Sequence, residues 1–372
     1  MAHLESRVDK PFLISVIILM VAGFFIFYSA SLGLLAKSST QYSSVTFSQA
    51  ILGFCFGSIA MFLASRANHK ILKRVAFFLL VVAIILNILV LFPQLGFEHN
   101  GARRWFLLGN FSFQPSEVLK LAFVIYFSAW ASKAKEKMET FQHGFLPLLI
   151  LLGFCGIPLL MQPDNDTFLM IIVAGVAIYL VAGGKWKYVF MLFLTGIIAF
   201  AMLAFTRPYV MQRINTYIHP ETQSQGAGYQ IQQSLIAIGS GGLFGRGFGQ
   251  SVQKFNFLPE PIGDSIFAVE AEEFGFLGAS GLILLFVIFA TRGLKIASSS
   301  GDSFGRLLVV GLVIIITAQA FLNIGAMLGI LPLSGITLPF VSHGGTSLFI
   351  TLLEAGIVLS VSRTMTKNSL KK

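Results

Sequence analysis

The sequence predicts an all-α, polytopic membrane protein with about ten transmembrane helices, and three observations carry that prediction. Of 372 residues, 55% are hydrophobic and only 11% are charged, against roughly 25% charged in soluble domains. Charge-free runs of spanning length recur along the whole chain, and Lys and Arg gather in the short segments between them. A soluble fold of this length could not hide so much apolar surface in one or two cores. Lipid removes the need, provided that backbone polar groups are paired within helices. The formal net charge of +10 would suggest nucleic acid on a soluble surface. Its position between apolar runs assigns it to topology instead, so no nucleic-acid partner is expected.

The first run, Phe12–Ala36, follows a basic start with Arg7 and Lys10. It is longer than the apolar region of a signal peptide and is expected to stay as the first helix. Ser38–Ser65 and Val75–Phe97 supply the second and third. The fourth is centred on Leu121–Ser132 and reaches a spanning length of ~18 residues only by including Pro115, Glu117 and Lys120. Thr140–Pro163, Thr167–Gly184 and Tyr188–Thr206 give the fifth to seventh. Phe274–Thr291, the eighth, follows an acidic cluster. Leu307–Leu353 contains no charged residue and holds the last two, broken at Leu331–Phe340 by Pro332, Gly335 and Pro339. Cys55 and Cys155 both fall in apolar runs and are expected to be free thiols. With no parallel repeat and no linker, residues 1–372 read as a single membrane domain.

Ten helices divide the 26 Lys and Arg residues into 18 on the side of the termini and 8 on the other. The richer side is cytoplasmic, so both termini are inside. Seven of the eight outer charges fall in two segments, 93–120 and 207–263, which suggests a use beyond topology.

The loop between helices 7 and 8, Arg207 to Gly263, is 57 residues long, well above the usual connection. Gly226–Gly239 is half-apolar and suits a short helix at the interface. The glycine-rich stretch from Gly239 to Gln250, with Arg246 inside it, fits either a chain of tight turns or a phosphate cradle. Lys254, Glu260 and Asp264 then precede the eighth helix, with Glu270, Glu272 and Glu273 in its first turns. Asp264 fits a helix cap. It also fits a site, because carboxylates at membrane depth face polar cavities. In the other segment, Arg103 and Arg104 beside Trp105 fit an interfacial anchor, and Glu117 and Lys120 fit a mutual pair. All four also suit an anionic headgroup such as pyrophosphate. Asp164 and Asp166 read as a solvated turn, His343 as a hydrogen-bonded structural histidine, and Glu354 as facing the bundle toward an unidentified partner.

Several stretches together resemble the SEDS proteins (shape, elongation, division and sporulation), a family that includes FtsW and RodA. They are Gly101-Ala-Arg-Arg-Trp, Gln114-Pro-Ser-Glu-Val-Leu-Lys, Gln162-Pro-Asp, Gly226-Ala-Gly-Tyr-Gln, Phe257-Leu-Pro-Glu, Asp264-Ser-Ile-Phe-Ala, Glu272-Glu-Phe-Gly and Leu338-Pro-Phe-Val-Ser-His-Gly-Gly-Thr-Ser. The resemblance implies a peptidoglycan glycosyltransferase that polymerises lipid II on the outer face of the bacterial cytoplasmic membrane. It implies Asp264 as the catalytic residue, a divalent cation (Mg²⁺ or Mn²⁺) with unknown ligands, and no organic cofactor. The implied partners are a class B penicillin-binding protein transpeptidase and other divisome or elongasome proteins. Arg103, Arg104, Glu117, Lys120, Arg246, Lys254 and Glu260 are the expected substrate-binding residues. Gly263-Asp264-Ser265 stands where the family often has Thr-Asp-Phe, a variant more typical of FtsW-like members, so a role at the division septum is expected. A RodA-like role in elongation and a lipid II flippase are the alternatives.

Overall fold

The computed structural model describes residues 8–99, 102–108, 111–206, 211, 215–218 and 226–364. Asn100, Gly101 and most of 207–225, at the start of the long loop, lie outside the described residues. The first helix, α1 (Lys10–Leu35), has Pro11 in its first turn, and the Asp9 side chain accepts from Phe12 N–H at 2.8 Å. This is a standard way to satisfy an orphan donor of a helix start. There follow α2 (Ser39–Arg66), with a π-helical stretch over Gln49–Phe56, and α3 (Lys70–Leu89). Next come α4 (Pro115–Ala134), α5 (Phe141–Met161), α6 (Asn165–Val181) and α7 (Trp186–Thr206). The chain continues through α8 (Ala227–Ser240), α9 (Ile266–Ser299), α10 (Ser303–Met327) and α11 (Gly345–Ser362).

Among the described residues, seven helices (α1, α2, α3, α5, α9, α10 and α11) are long and apolar enough to cross a membrane. The remaining expected spans correspond to α4, which carries Glu117, Lys120 and Lys133, to the 17-residue α6, and to α7. Phe77, Phe78, Phe154, Phe190 and Phe193 are exposed on the outside of the bundle, as lipid-facing side chains should be. Inside, Phe12, Phe289 and Phe340 form a ring cluster with centroids 5.0 and 5.7 Å apart. The central α10 packs on α4, α6, α9 and α11.

Two elements differ from the sequence reading. The third helix stops at Leu89 rather than Phe97, and residues 96–113 form a small antiparallel sheet. Its strands are β1 (Gly96–His99), β2 (Ala102–Leu108) and β3 (Phe111–Phe113). Asn100-Gly101, a strong hairpin signal, and the charges of Glu98, Arg103 and Arg104 oppose a membrane helix here. The eighth span begins at Ile266, eight residues before Phe274, and kinks at Gly275 (φ 67°, ψ −164°). Its acidic residues do not end the helix because two of them, Glu272 and Glu273, find partners in the preceding loop.

Contacts sort the connections into two faces. Asp9 N–H donates to Ser362 Oγ at 3.2 Å, joining the start of α1 to the end of α11. His69 and Asp302 meet at 2.9 Å between the segments after α2 and α9, and Lys185 pairs with Glu139 at 3.3 Å. The sheet and the head of α11 share the opposite face, where Thr346 Oγ1 donates to Ser112 C=O at 2.7 Å.

Candidate functional site

On the face away from the termini, a cavity of about 580 Å³ opens between β2, the heads of α4, α6 and α11, and the turn leading into α9. Asp264 sits on that turn. Pro259-Glu260-Pro261 bends the chain, with Glu260 in the left-handed region (φ 47°) and its carbonyl accepting from Gly263 and Ser265 N–H at 3.0 and 3.2 Å. Other elements hold the turn by its carbonyls. Asn323 Nδ2 donates to Asp264 C=O (2.8 Å), Ser342 Oγ to Gly263 C=O (2.7 Å) and His343 N–H to Ile262 C=O (2.7 Å).

Helix α9 starts at Ile266 with Ser265 at its cap, so the Asp264 side chain does not serve the helix. It lines the cavity instead. Burial pushes its carboxyl up to about 7; nearby Glu260 and Asp166 push the same way, and Arg104 opposes them. A carboxyl balanced near neutrality can exchange a proton at working pH, as a general base requires.

Glu117 and Lys120 form the mutual pair that one of their two sequence readings expects. They pair at 3.0 Å on α4, and both line the cavity. They are buried, at 6% and 3% exposure, and Lys120 Nζ also donates to Gln319 Oε1 at 2.7 Å. Arg104 lines the cavity and grips the preceding turn, donating from Nε to Gln162 C=O at 3.2 Å and from Nη2 to Pro163 C=O. Glu260 lines the cavity as well.

Three expected binders lie elsewhere. Arg103 projects from the hairpin to Glu98 at 2.8 Å and does not line the cavity. Lys254 is wholly buried, paired with Glu273 at 2.7 Å and donating to Ser29 Oγ (3.0 Å) and Gly249 C=O (2.9 Å). Arg246 lies 3.5 Å from Glu272. Glu272 also accepts from Ser251 Oγ and from Val252 and Gln253 N–H, at 2.6, 3.1 and 3.2 Å.

The glycine-rich stretch likewise packs on α9. Its carbonyls at Gly242 and Leu243 accept from Phe276 and Leu277 N–H, while Arg246 and Gly247 N–H donate to Glu272 and Glu273 C=O. These bonds satisfy the backbone groups that the Gly275 kink frees. Gly245 (φ 78°) passes so close to Glu273 C=O that a side chain has no room. Lys254, Arg246 and the glycines therefore latch the loop to α9; they do not bind at the cavity.

The structure adds residues that sequence reasoning left aside. Asp164, read as solvated, is only 3% exposed and lines the cavity. Its Oδ1 caps α6 at Thr167 N–H (3.4 Å), whereas its buried Oδ2 has no hydrogen-bond partner. His343 also lines the cavity, its ring stacked on Phe27. Burial pushes it down to about 4, so it is neutral at physiological pH, and its Nε2 is unpartnered rather than hydrogen-bonded. The Gln162-Pro-Asp stretch was the available signal for Asp164; nothing in the sequence marked Gln319. Glu354 is buried in α11 with Oε1 unpartnered.

Chemically, the cavity lining holds the raised Asp264 carboxyl and the buried Lys120, with four acidic side chains (Glu117, Asp164, Glu260, Asp264) against two cations (Arg104, Lys120). The excess of acid is unsuited to a bare anionic ligand and well suited to one that arrives with a cation.

The family model described as "Cell cycle protein", which spans FtsW, RodA and SpoVE, matches residues 10–367. Stage V sporulation protein E of Bacillus subtilis (strain 168) is 37% identical over 359 residues, covering 96% of this chain and 98% of the relative. A probable peptidoglycan glycosyltransferase FtsW of Geobacter sp. (strain M18) is 35% identical over 357 residues, covering 96% and 97%. Among solved structures, rod shape determining protein RodA of Thermus thermophilus matches with a TM-score of 0.69 and 27% identity, over 97% of this chain and 98% of that one. A chain from a peptidoglycan synthase complex, solved in a study of how polymerization and crosslinking are coordinated, matches with a TM-score of 0.76 and 26% identity, over 96% and 98%.

Proposed function

The chain belongs to the cell cycle protein family of FtsW, RodA and SpoVE, and from that premise we propose that it is a peptidoglycan glycosyltransferase that uses Asp264 as its base. The observation that carries the reading is a half-buried carboxyl poised at about 7 in a cavity that also holds the Glu117–Lys120 pair. In this reading the substrate is lipid II, presented at the outer face of the cytoplasmic membrane. The Asp264 carboxylate takes the proton of the acceptor 4-hydroxyl. The acceptor oxygen then bonds to the donor's anomeric carbon as the bond from that carbon to pyrophosphate breaks, giving a β-1,4 linkage with inversion.

Pyrophosphate is a good leaving group, so the second carboxylic acid of a glycosidase is not needed. Stabilisation of the leaving charge is needed, and in this reading Lys120 and Arg104, which line the cavity, supply it. Among the described residues, no three His, Cys, Asp or Glu side chains converge as a metal site. Mg²⁺ at a phosphate does not require three, because one or two carboxylates plus phosphate oxygens and water suffice. In this reading the unpartnered Oδ2 of Asp164 is a protein ligand of the cation, and Glu260 and Asp264 line the same cavity. When bound, a divalent cation would supply charge neutralisation at the pyrophosphate.

The partner in this reading is a class B penicillin-binding protein, and the site of action is the division septum. A flippase needs a polar track through the bilayer, whereas the cavity charges gather at one end, with Glu354 buried beyond them. Purified protein and partner, mixed with lipid II, should yield glycan chains on a gel. Asp264→Asn should yield none while keeping the elution profile and partner binding of the parent. Full-length glycan from that variant would refute Asp264 as base.

A further inference from the structure

A second hollow, of about 550 Å³, lies between α1 and α9 and shares no lining residue with the cavity at Asp264. Its walls are apolar (Phe25 and Ile26 from α1, Phe274, Leu282 and Leu285 from α9), and Phe25 is half exposed, so the groove opens to lipid. Phe248, from the glycine-rich turn, lies edge-on to Phe25 and tilted against Phe274, both at 6.3 Å, and so links the two helices across the groove.

Among the described residues, one ionisable side chain lines it. Glu270 is 3% exposed, and its Oε2 is buried without a partner. Gly278, one of two glycines on this face of α9, leaves the space that Glu270 Oε1 approaches; the other, Gly281, faces open space. An unpaired carboxyl in such a setting costs free energy unless a donor reaches it. Nothing in the catalytic reading uses it.

The dimensions select the occupant. Glu270 to Leu285 spans roughly 22 Å of helix at 1.5 Å per residue. Spread over that length, the hollow has a cross-section of about 25 Å², the width of one hydrocarbon chain and roughly a third that of a helix ~10 Å across. A partner's transmembrane helix does not fit within it. Depth and charge select the head. The charge-free run of α9, Phe274–Thr291, is ~27 Å long, close to the ~30 Å hydrocarbon core. Glu270, one turn ahead of that run, is therefore at headgroup level. A carboxylate there repels anionic heads and attracts an N–H donor of opposite charge.

We propose that the α1–α9 groove is a lipid site that holds one acyl chain of an ethanolamine-type phospholipid, with the lipid's ammonium on Glu270. The site would tie the lipid to the loop that leads into the catalytic turn, because Phe248 and Glu270 flank the latch around Glu272 and Glu273.

The test uses the full-length chain reconstituted with equal amounts of phosphatidylethanolamine, phosphatidylcholine and phosphatidylglycerol. Native mass spectrometry then reads the lipid kept after mild detergent washing. The choline head is cationic but has no N–H, so it separates hydrogen bonding from charge. The parent should retain ethanolamine lipid about tenfold over each of the others, the ratio one charge-assisted hydrogen bond gives. Glu270→Gln should keep lipid but bring the ratio close to one. Gly281→Leu should fill the groove and lower total retention about tenfold with an unchanged elution profile. Equal retention of all three lipids by the parent, an unchanged ratio in Glu270→Gln, or a co-purified polypeptide in place of lipid would each overturn the assignment.

Discussion

Replacing Lys254 by Met removes one half of a fully buried ion pair, and the consequence separates a latch from a ligand site. Lys254 Nζ lies 2.7 Å from Glu273 Oε1 and also donates to Ser29 Oγ and Gly249 C=O. Deleting one partner of such a pair costs about 3–5 kcal/mol, because the other charge is left buried and uncompensated. Glu273 keeps donors from Ser29 Oγ (2.6 Å) and Ser251 N–H (3.3 Å), which places the expected loss near the lower end, about 3 kcal/mol. Thermal unfolding of the purified chain followed by intrinsic fluorescence measures it. The double variant Lys254→Met, Glu273→Gln has no orphan charge and should recover most of that loss. Its apparent KM for lipid II should stay within about twofold of the parent. A high KM in the double variant, with stability restored, would show that Lys254 binds substrate after all and would refute the latch.

The remaining expectations concern the cavity and its rim. Polymerisation should rise with pH through about 7, because Asp264 is raised to that value and only its deprotonated form accepts a proton; a rate flat from pH 5.5 to 8.5 would exclude it as the titrating base. Arg103→Ala should leave rate and stability nearly unchanged, since partly exposed pairs such as Arg103–Glu98 contribute about 0–1 kcal/mol. Arg104→Ala should cost at least tenfold in kcat/KM, about 1.4 kcal/mol, read from the same glycan gels. Asp164→Asn should raise the Mg²⁺ concentration needed for half-maximal rate while leaving the saturated rate within a few-fold, and an unchanged Mg²⁺ requirement would remove Asp164 as a ligand. Gly245→Ala should destabilise the chain by more than 1 kcal/mol, because φ there is +78° and a side chain would meet Glu273 C=O.

The helical scaffold was legible because lipid imposes a simple code of long apolar runs. The code failed where local chemistry overrode it. Residues 90–97 are apolar enough to extend α3, yet charged residues follow, and Gly96 and Phe97 pair with β2 in a sheet instead. Helix α9 begins ahead of its acidic cluster and runs through it, because Glu272 and Glu273 are satisfied by residues 251–254, a pairing visible only in three dimensions. The same long-range pairing removed Arg246 and Lys254 from the cavity, since a loop of 57 residues does not reveal which of its cations turn inward. Asp264, Glu117, Lys120 and Arg104 were found from motif context and converge from three separate segments. Asp164 was discounted because, in sequence, a Pro-Asp turn looks the same whether it faces solvent or a cavity wall.

The hydrogen bond from Asp9 N–H to Ser362 Oγ brings the start of α1 and the end of α11 together. The first and last helices meet at the same point of the same face, so a short linker can join them without crossing the bundle. A permuted gene could open instead at Gly183–Gly184, a turn on that face. Reporters fused at the old or the new ends would then sit at known, different places on one surface. Their separation would serve as a ruler for any tilt of α7 relative to α1 during synthesis.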